Sequence, residues 1–199
     1  MAATPIEIAE EDRLRANWYG LLAKLLGAAP ERETLAQIAQ LEGDDSELGK
    51  VLSSLAAAAR GTNPEALRDE YFTLFVGVGR GELIPYGSYY LTGFLHEKPL
   101  ARLRDDMSKL GASRVEGVVE TEDHIAALCD TMVGLITGSF GEPAALEVQR
   151  SFFRNHIGSW APRFFEDLQA AKGAAFYMPV GAIGSLVMAI EAQAFEMAA

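Results

Sequence analysis

Residues 121–136 read TEDHIAALCDTMVGLI and carry the clearest indication of the fold. Apolar side chains recur three and four positions apart, the spacing that places them on one face of an α-helix. They are Ile125, Leu128, Met132, Leu135 and Ile136. Thr121 can cap the start of this helix, with Glu122 and Asp123 in the first turn, where the helix dipole favours acidic groups. The stretch therefore predicts an amphipathic helix with an acidic beginning.

The same spacing recurs towards the N-terminus. The first apolar stripe consists of Leu14, Trp18, Leu21, Leu22 and Leu25. Gly27 follows this stripe and is typical of the residue that ends a helix. Ser46 can cap a later helix, and Asn63-Pro64 is a helix start signal, because proline suits the first helical position.

Helical periodicity extends over nearly the whole chain, and no segment alternates apolar and polar side chains with a period of two. We therefore predict an all-α fold. It should be a single domain, residues 1–199, built as a bundle of about nine helices. Residues 111–119 are the one stretch at which the bundle could divide into two halves.

The composition indicates a folded, acidic protein. The 199 residues are 49% hydrophobic and 23% charged, which is ordinary for a globular domain. The 28 acidic and 17 basic residues give a net charge of −11. A negative surface repels phosphate backbones and attracts basic peptides. Nucleic acid is therefore excluded as a partner. The single cysteine, Cys129, falls on the apolar side of its helix and is expected to be a buried core residue.

Neither a signal peptide nor a membrane span is predicted. Residues 10–12 are acidic, whereas a signal peptide begins with basic residues and continues into an apolar run. The longest apolar-rich stretch, residues 179–190, is shorter than the roughly 20 residues that span a bilayer. We therefore expect a cytoplasmic protein without stable membrane insertion.

Residues 76–96 interrupt the helical pattern with several glycines, three tyrosines and Phe94. A structureless segment of this length is uncommon in a compact domain and often carries function. Tyr86, Tyr89 and Tyr90 offer rigid apolar rings with polar hydroxyls, which suits peptide recognition. The alternative is that these rings fill space between helices. Composition alone leaves both interpretations open.

Motifs for catalysis and for cofactor binding are missing from the sequence. The glycines at 77, 79 and 81 lack the Lys-Ser/Thr pair of a phosphate-binding loop. Glu120 and His124 are four residues apart, but two ligands make a weak metal site. We therefore predict no metal, no cofactor and no enzymatic activity. The less favoured alternative is a helical enzyme that uses Glu120, Asp123 and His124.

Three ordered blocks of sequence resemble the TorD-like family, which includes the TorD, DmsD and NarJ chaperones of molybdenum-containing oxidoreductases. The first block is an acidic residue, an aromatic residue and Leu-Phe, matched by Glu70, Tyr71, Leu74 and Phe75. The second is Pro-Tyr-x-Ser-x-Tyr, matched by Pro85, Tyr86, Ser88 and Tyr90. The third is Glu-Pro-x-Asp-His, matched by Glu120, Asp123 and His124, with Thr121 in place of the proline.

This resemblance implies an all-α chaperone that binds the apo catalytic subunit of a molybdopterin-containing oxidoreductase, often through its twin-arginine signal peptide. Such chaperones hold export or assembly until the cofactor is inserted. The NarJ branch implies an alternative, an assembly chaperone for a subunit that is not exported. Because some relatives exchange helices between subunits, a monomer or a homodimer is expected.

The resemblance and the acidic, aromatic character of the chain together predict a peptide-binding site. Its predicted members are Tyr71, Leu74, Phe75, Pro85, Tyr86, Ser88, Tyr90, Glu120, Asp123 and His124. The aromatic and aliphatic groups would take the apolar part of the leader, and Asp123, assisted by Glu120 or Glu122, would face its arginines. The opposing interpretation is that the tyrosines are packing residues and that Asp123 only caps its own helix.

Overall fold

The computed structural model describes residues 8–112 and 120–198, and about 68% of these residues are helical. The helices are α1 (Glu10–Gly27), α2 (Arg32–Ile38), α3 (Glu47–Arg60), α4 (Pro64–Tyr71), a π-helix (Phe72–Val76), α5 (Gly87–Thr92), α6 (Lys98–Lys109), α7 (Ile125–Thr137), α8 (Leu146–His156), α9 (Ala161–Ala170) and α10 (Tyr177–Met197). No strand forms within this part of the chain. The all-α prediction is confirmed.

The chain divides into two compact units. The first comprises Met1–Ala23 and Tyr86–Ser159, and the second comprises Lys24–Pro85 and Trp160–Ala199. The predicted division at residues 111–119 falls largely on residues 113–119, which lie outside the described residues. The single-domain organisation stays a prediction.

In the first unit, α6 packs against α5 and α8, and α8 packs against α7. The five apolar side chains that predict α7 are all buried, so this stripe is confirmed.

The predicted cap of α7 is wrong. The helix begins at Ile125, and His124 caps it by accepting a hydrogen bond from the Ala126 N–H through Nδ1 (3.2 Å). The Thr121 hydroxyl instead donates to Asp123 Oδ1.

In the second unit, α10 packs against α9 and α3, and α2 packs against α3. Gly184 permits the close approach of α10 to α9, since a Cβ atom there would lie 2.1 Å from the Phe165 ring. The predicted start signals in this unit are confirmed. Ser46 accepts from the Gly49 N–H, and Asn63 accepts from the N–H groups of the first turn of α4.

The apolar stretch at residues 179–190 led to the expectation that no segment reaches membrane-spanning length. That expectation is wrong on length, because helix α10 extends beyond this stretch. Its 21 residues are long and apolar enough to cross a bilayer. Core helices of soluble proteins meet the same criterion. Half of its apolar window is buried inside the protein, and its contacts are with α9 and α3. Packing within the second unit therefore accounts for its apolar composition.

Two further expectations are corrected. Leu14, assigned to the first apolar stripe, is 55% exposed, because the buried face of α1 runs instead through Ala16, Tyr19 and Leu22. Residues 76–96 are not entirely without helix, since α5 lies inside them. The first turn of α5 is stabilised by a hydrogen bond that the Ser88 N–H donates to the carboxylate of Asp123, and this contact has no local sequence signal.

Candidate functional site

The second and third motif blocks meet in the first unit. Tyr86 and His124 form an isolated antiparallel bridge, and the Gly87 N–H donates to the Asp123 carbonyl (2.9 Å). The Ser88 N–H donates to Asp123 Oδ2 (2.8 Å). These contacts join residues 35 to 38 positions apart and fix the start of α5 to the residues that precede α7.

Asp123 is buried, with only 3% of its surface exposed. Its Oδ2 atom accepts from the Ser88 N–H, and its Oδ1 atom accepts from the Thr121 hydroxyl (2.6 Å). Ser88 lies in the first turn of α5, whose N–H groups lack partners within the helix. Asp123 therefore stabilises the start of α5, and the interpretation that it caps its own helix is wrong.

His124 is a neutral hydrogen-bond acceptor. Burial lowers its pKa to about 4, although the neighbouring Asp123 charge opposes this shift. The neutral ring suits its contact, because Nδ1 needs a lone pair to accept from the Ala126 N–H. The ring also packs edge-on against Tyr86, with 4.9 Å between ring centroids. His124 thus links the cap of α7 to the aromatic segment.

The accessible part of this cluster consists of Tyr86 and Glu120. Tyr86 is half-buried, and its hydroxyl donates to the carboxylate of Glu120, which is exposed. The neighbouring Glu122 forms an ion pair with Arg104, with 2.8 Å between Oε2 and the guanidinium nitrogen. Glu120 is therefore the carboxylate of the third block most open to a ligand from solvent. Tyr90 is half-buried and packs edge-on against Tyr89.

Ser88 is fully buried, and its hydroxyl has no hydrogen-bond partner among the described residues. Its backbone N–H, rather than its side chain, makes the contact with Asp123. Ser88 therefore joins the two blocks through its main chain, and its small side chain is enclosed by protein.

The first motif block forms an aromatic cluster in the second unit. Tyr71, Phe75 and Tyr177 lie with ring centroids 5.0 to 6.0 Å apart. The Tyr71 hydroxyl donates to the Leu26 carbonyl (3.1 Å), and the Tyr177 hydroxyl donates to the Leu25 carbonyl (3.0 Å). Both carbonyls belong to the last turn of α1, where helical partners are lacking. The two tyrosines therefore complete the end of α1.

Leu74 is fully buried and Pro85 is buried, whereas Tyr71 and Phe75 are half-buried. Burial raises the pKa of the Tyr177 hydroxyl well above its ordinary value. The inward face of the first block is consequently a packing surface, as expected for side chains that fill space between helices.

Two acidic residues have roles that sequence reasoning missed. Glu70 accepts from the N–H groups of Ala175, Phe176 and Tyr177 at 2.8 to 3.2 Å. Glu82 accepts from the N–H groups of Lys172 and Gly173 at 2.7 and 3.1 Å. The two carboxylates hold the connection between α9 and α10. Glu70 was recognised as a motif residue, but its partners lie over 100 positions away, so no local signal indicates the contact.

The ten predicted site residues are divided between the two units. The first unit brings together Tyr86, Ser88, Glu120, Asp123 and His124, and it also contains Tyr90. The second unit contains Tyr71, Leu74, Phe75 and Pro85. A peptide-binding role for these residues stays a prediction. Of the three residues in the enzyme alternative, Asp123 and the neutral His124 are buried and hydrogen-bonded, and the exposed Glu120 accepts from the Tyr86 hydroxyl.

Comparisons with known proteins identify relatives of this chain. The family model described as nitrate reductase delta subunit matches residues 41–166. Chaperone protein TorD of Aliivibrio fischeri is 26% identical over 181 residues, covering 80% of this chain and 84% of the relative. Chaperone protein TorD of Vibrio cholerae is 31% identical over 107 residues, covering 50% of this chain and 49% of the relative.

A solved structure supports the fold. The crystal structure described as a redox enzyme maturation protein from Archaeoglobus fulgidus aligns with a TM-score of 0.55 and 18% identity. The alignment covers 95% of this chain and 99% of that one. The curated relatives are named as chaperones, which confirms the prediction that this chain is a non-enzyme. Because the family model matches more than half of its residues, the chain belongs to the nitrate reductase delta subunit family, and its recognition as TorD-like is confirmed.

Proposed function

We propose that this chain is a cytoplasmic chaperone for a molybdopterin-containing oxidoreductase. It binds the apo catalytic subunit through the twin-arginine signal peptide and holds it until the cofactor is inserted, before export or assembly. The likeness to a TorD chaperone over 84% of that relative's length carries the proposal. The second and third motif blocks also form a defined cluster in the first unit.

The charge and shape of the cluster support a peptide ligand. A twin-arginine leader is basic at one end and apolar in its middle. The chain carries a net charge of −11, and the exposed Glu120 lies next to the half-buried Tyr86 ring. A carboxylate beside an aromatic ring can accept hydrogen bonds from a guanidinium group while the ring packs against it.

The buried residues of the cluster support this surface from below. Asp123 and His124 position Tyr86 and the start of α5 through the bridge and the Ser88 contact. A binding site is more precise when buried contacts of this kind fix the groups that touch the ligand. In this proposal Tyr86 and Glu120 touch the leader, and Asp123 and His124 hold them in place.

The family description favours a second candidate function. Residues 41–166 match a model named for a nitrate reductase subunit. A NarJ-like chaperone would assemble a molybdoenzyme subunit that is not exported, so it would bind the mature polypeptide instead of a leader. The two candidates differ in the segment of the client that is bound.

Titration of the purified chain with two forms of a client from the same genome tests the proposal. One form carries its leader and the other lacks it, and a synthetic leader alone is titrated in parallel. Leader recognition predicts binding of the synthetic peptide and a loss of at least about tenfold in affinity when the leader is removed. Equal affinity for both client forms, with no binding of the synthetic leader, supports the NarJ-like alternative. Failure to bind either form refutes both candidates.

A further inference from the structure

The outward face of α10 is apolar although it lies on the protein surface. Met178 and Ile190 are each 51% exposed, and Met197 is 74% exposed. The opposite face of the helix packs on α9 and α3, and Gly184 permits the close contact with α9. Packing within the second unit explains the apolar character of the buried half of α10. It does not explain why the exposed half is also apolar.

Six residues at helical spacing define this exposed half. They follow one another at spacings of four, four, three, four and four, and each is exposed or half-buried. At 3.6 residues per turn these positions fall within an arc of about 100°. They cover nineteen helical steps, or about 28 Å at 1.5 Å per residue. The set, called the outer face of α10 below, consists of Met178, Ala182, Leu186, Ala189, Gln193 and Met197.

The outer face of α10 carries no charge. The helix contains no lysine or arginine, and of its two glutamates Glu191 is buried and Glu196 lies in the last turn, at the edge of this face. The chain as a whole has a net charge of −11, so two copies repel each other where their carboxylates meet. An uncharged strip is a surface on which a second copy can approach. Helices that bind membrane surfaces carry lysine and arginine beside their apolar face, and α10 lacks both.

The order of residues along the outer face of α10 is complementary to itself. When a second copy is placed antiparallel about a two-fold axis midway along the face, Met178 faces Met197 of the second copy. In the same register Ala182 faces Gln193, and Leu186 faces Ala189. Each inner position then sets a longer side chain against an alanine, an arrangement that lets two helices interdigitate. The methionines that meet at each end are flexible enough to adapt to one another.

We infer that the outer face of α10 is the interface of a dimer of this chain, with the two α10 helices antiparallel. Such a pairing is isologous, because both copies use the same surface and each contact occurs twice. The inference goes beyond the proposed function, since no client takes part. A strip about 28 Å long and one helix, or about 10 Å, wide is a small interface. The dimer is therefore reversible, with a dissociation constant of about 10–100 μM.

The first test is analytical ultracentrifugation of the full chain from about 1 to about 500 μM, which brackets the expected dissociation constant. We expect the parent to pass from monomer to dimer across this range. Because salt screens the repulsion between the two acidic copies, an increase from about 50 to about 300 mM salt should strengthen the dimer at least about twofold. A parent that stays monomeric throughout, or a dimer that salt weakens, overturns the inference.

A matched pair of variants locates the interface. Ala189 and Ala57 are exposed alanines on helices of the second unit, so Ala189→Glu and Ala57→Glu make the same change of charge on similar sites. Ala189 lies beside the two-fold axis, where the new carboxylate would face Leu186 of the second copy. We expect Ala189→Glu to weaken the dimer at least about tenfold and Ala57→Glu to leave it unchanged. Both should melt within about 2 °C of the parent, since both positions are exposed. Equal dimerisation of the two variants overturns the inference.

Disulfide cross-linking tests the register. Cys129, the single cysteine of the chain, is buried, so cysteines introduced on the outer face of α10 are the accessible thiols. In Ala182→Cys/Gln193→Cys the two cysteines face each other between copies. Within one copy they are eleven residues apart, about 16 Å along the helix, which is too far for an internal disulfide.

Oxidation with diamide should convert this double variant into a covalent dimer. Each single variant should cross-link at least about tenfold more slowly, because its two thiols lie about 16 Å apart in an antiparallel pair. Single variants that cross-link as fast as the double variant would indicate a different pairing of the helices and overturn the inference.

Co-sedimentation with phosphatidylcholine vesicles tests the other surface that an apolar helix face could bind. We expect the parent to remain in the supernatant. If a monomeric parent binds the vesicles and Ala189→Glu does not, the outer face of α10 contacts a bilayer and the dimer is refuted.

Discussion

Replacement of Asp123 by alanine should destabilise the first unit. The carboxylate is 3% exposed and accepts two hydrogen bonds, one from the buried main chain at Ser88 and one from the Thr121 hydroxyl. Alanine removes both acceptors. The Ser88 N–H is then left in a buried position at the start of α5, where the helix provides no acceptor.

The expected loss follows from these two contacts. A buried donor without an acceptor costs about 1–3 kcal/mol, and a hydrogen bond to a charged group contributes about 1.5–3 kcal/mol. Thr121 is half-buried and its hydroxyl can turn towards water, so the loss of its hydrogen bond adds little to the destabilisation. We therefore expect a decrease of about 2–4 kcal/mol in the free energy of unfolding. For a chain of this size, that corresponds to a fall of roughly 5–15 °C in melting temperature.

The measurement is a thermal melt followed by circular dichroism. Asp123→Ala is compared with two control variants, Asp123→Asn and Asp105→Ala. Asparagine keeps one oxygen acceptor for the Ser88 N–H, so its loss should be about 1 kcal/mol. Asp105 is an exposed residue of α6, and its replacement should change the melting temperature by no more than about 2 °C. If Asp123→Ala melts like Asp105→Ala, the buried contact does not contribute to stability and the reasoning is refuted.

The same variant also tests the proposed site. At a temperature where Asp123→Ala is still folded, we expect its affinity for the leader to fall at least about tenfold, because Tyr86 and Glu120 lose their support. Parent-like affinity in the folded variant would restrict Asp123 to a role in folding and remove it from the predicted binding residues.

Three further predictions concern stability. Because burial lowers the pKa of His124 to about 4, its contribution to the free energy of unfolding is complete above pH 6.5 and is lost as the pH falls to 4. The expected loss of stability is roughly 3 kcal/mol. The variant His124→Asn, which can still cap α7, should have a flatter pH dependence of the free energy of unfolding. Glu70→Gln replaces one of two acceptor oxygens by a donor facing main-chain N–H groups, so amide hydrogen exchange at residues 175–177 should accelerate at least tenfold, or about 1.4 kcal/mol. Gly184→Ala should destabilise the protein by about 1–3 kcal/mol, because the added Cβ would overlap the Phe165 ring. Gly20→Ala should stabilise α1 by about 0.5–1 kcal/mol, since a Cβ there meets only a side-chain atom at 3.9 Å. If urea unfolding shows that both variants change the free energy of unfolding in the same direction, the prediction is contradicted.

The helices with strong local signals could be predicted from the sequence. Ser46 and Asn63 cap helices through side chains whose partners lie two or three residues away, so the capping pattern is visible in the sequence itself. The α7 stripe is predictable for the same reason, because its periodicity is local. The exposure of Leu14 could not be predicted from local sequence, since an apolar residue at helical spacing is buried only if another element covers it.

The contacts that build the candidate site are not visible in local sequence. Helix α5 has six residues and begins with glycine, so its propensity does not predict a helix. Its first turn depends on Asp123, which is 35 residues away. The roles of Glu70 and Glu82 depend on partners about 90 to 107 positions away. The family resemblance predicted that the second and third motif blocks belong to one site, but it did not indicate which of their atoms bond.

The first motif block divides its residues between two tasks. Tyr71, Leu74 and Phe75 face inward, where each contact requires a particular side chain: a hydroxyl that reaches the end of α1, or a ring that fills the cluster. Phe72 and Val76 occupy the same turns but face solvent, where any apolar side chain preserves the fold. The inward residues therefore identify the family because they are constrained by packing. The outward residues are free of that constraint, so substitutions among apolar side chains there leave the helix and its packing intact.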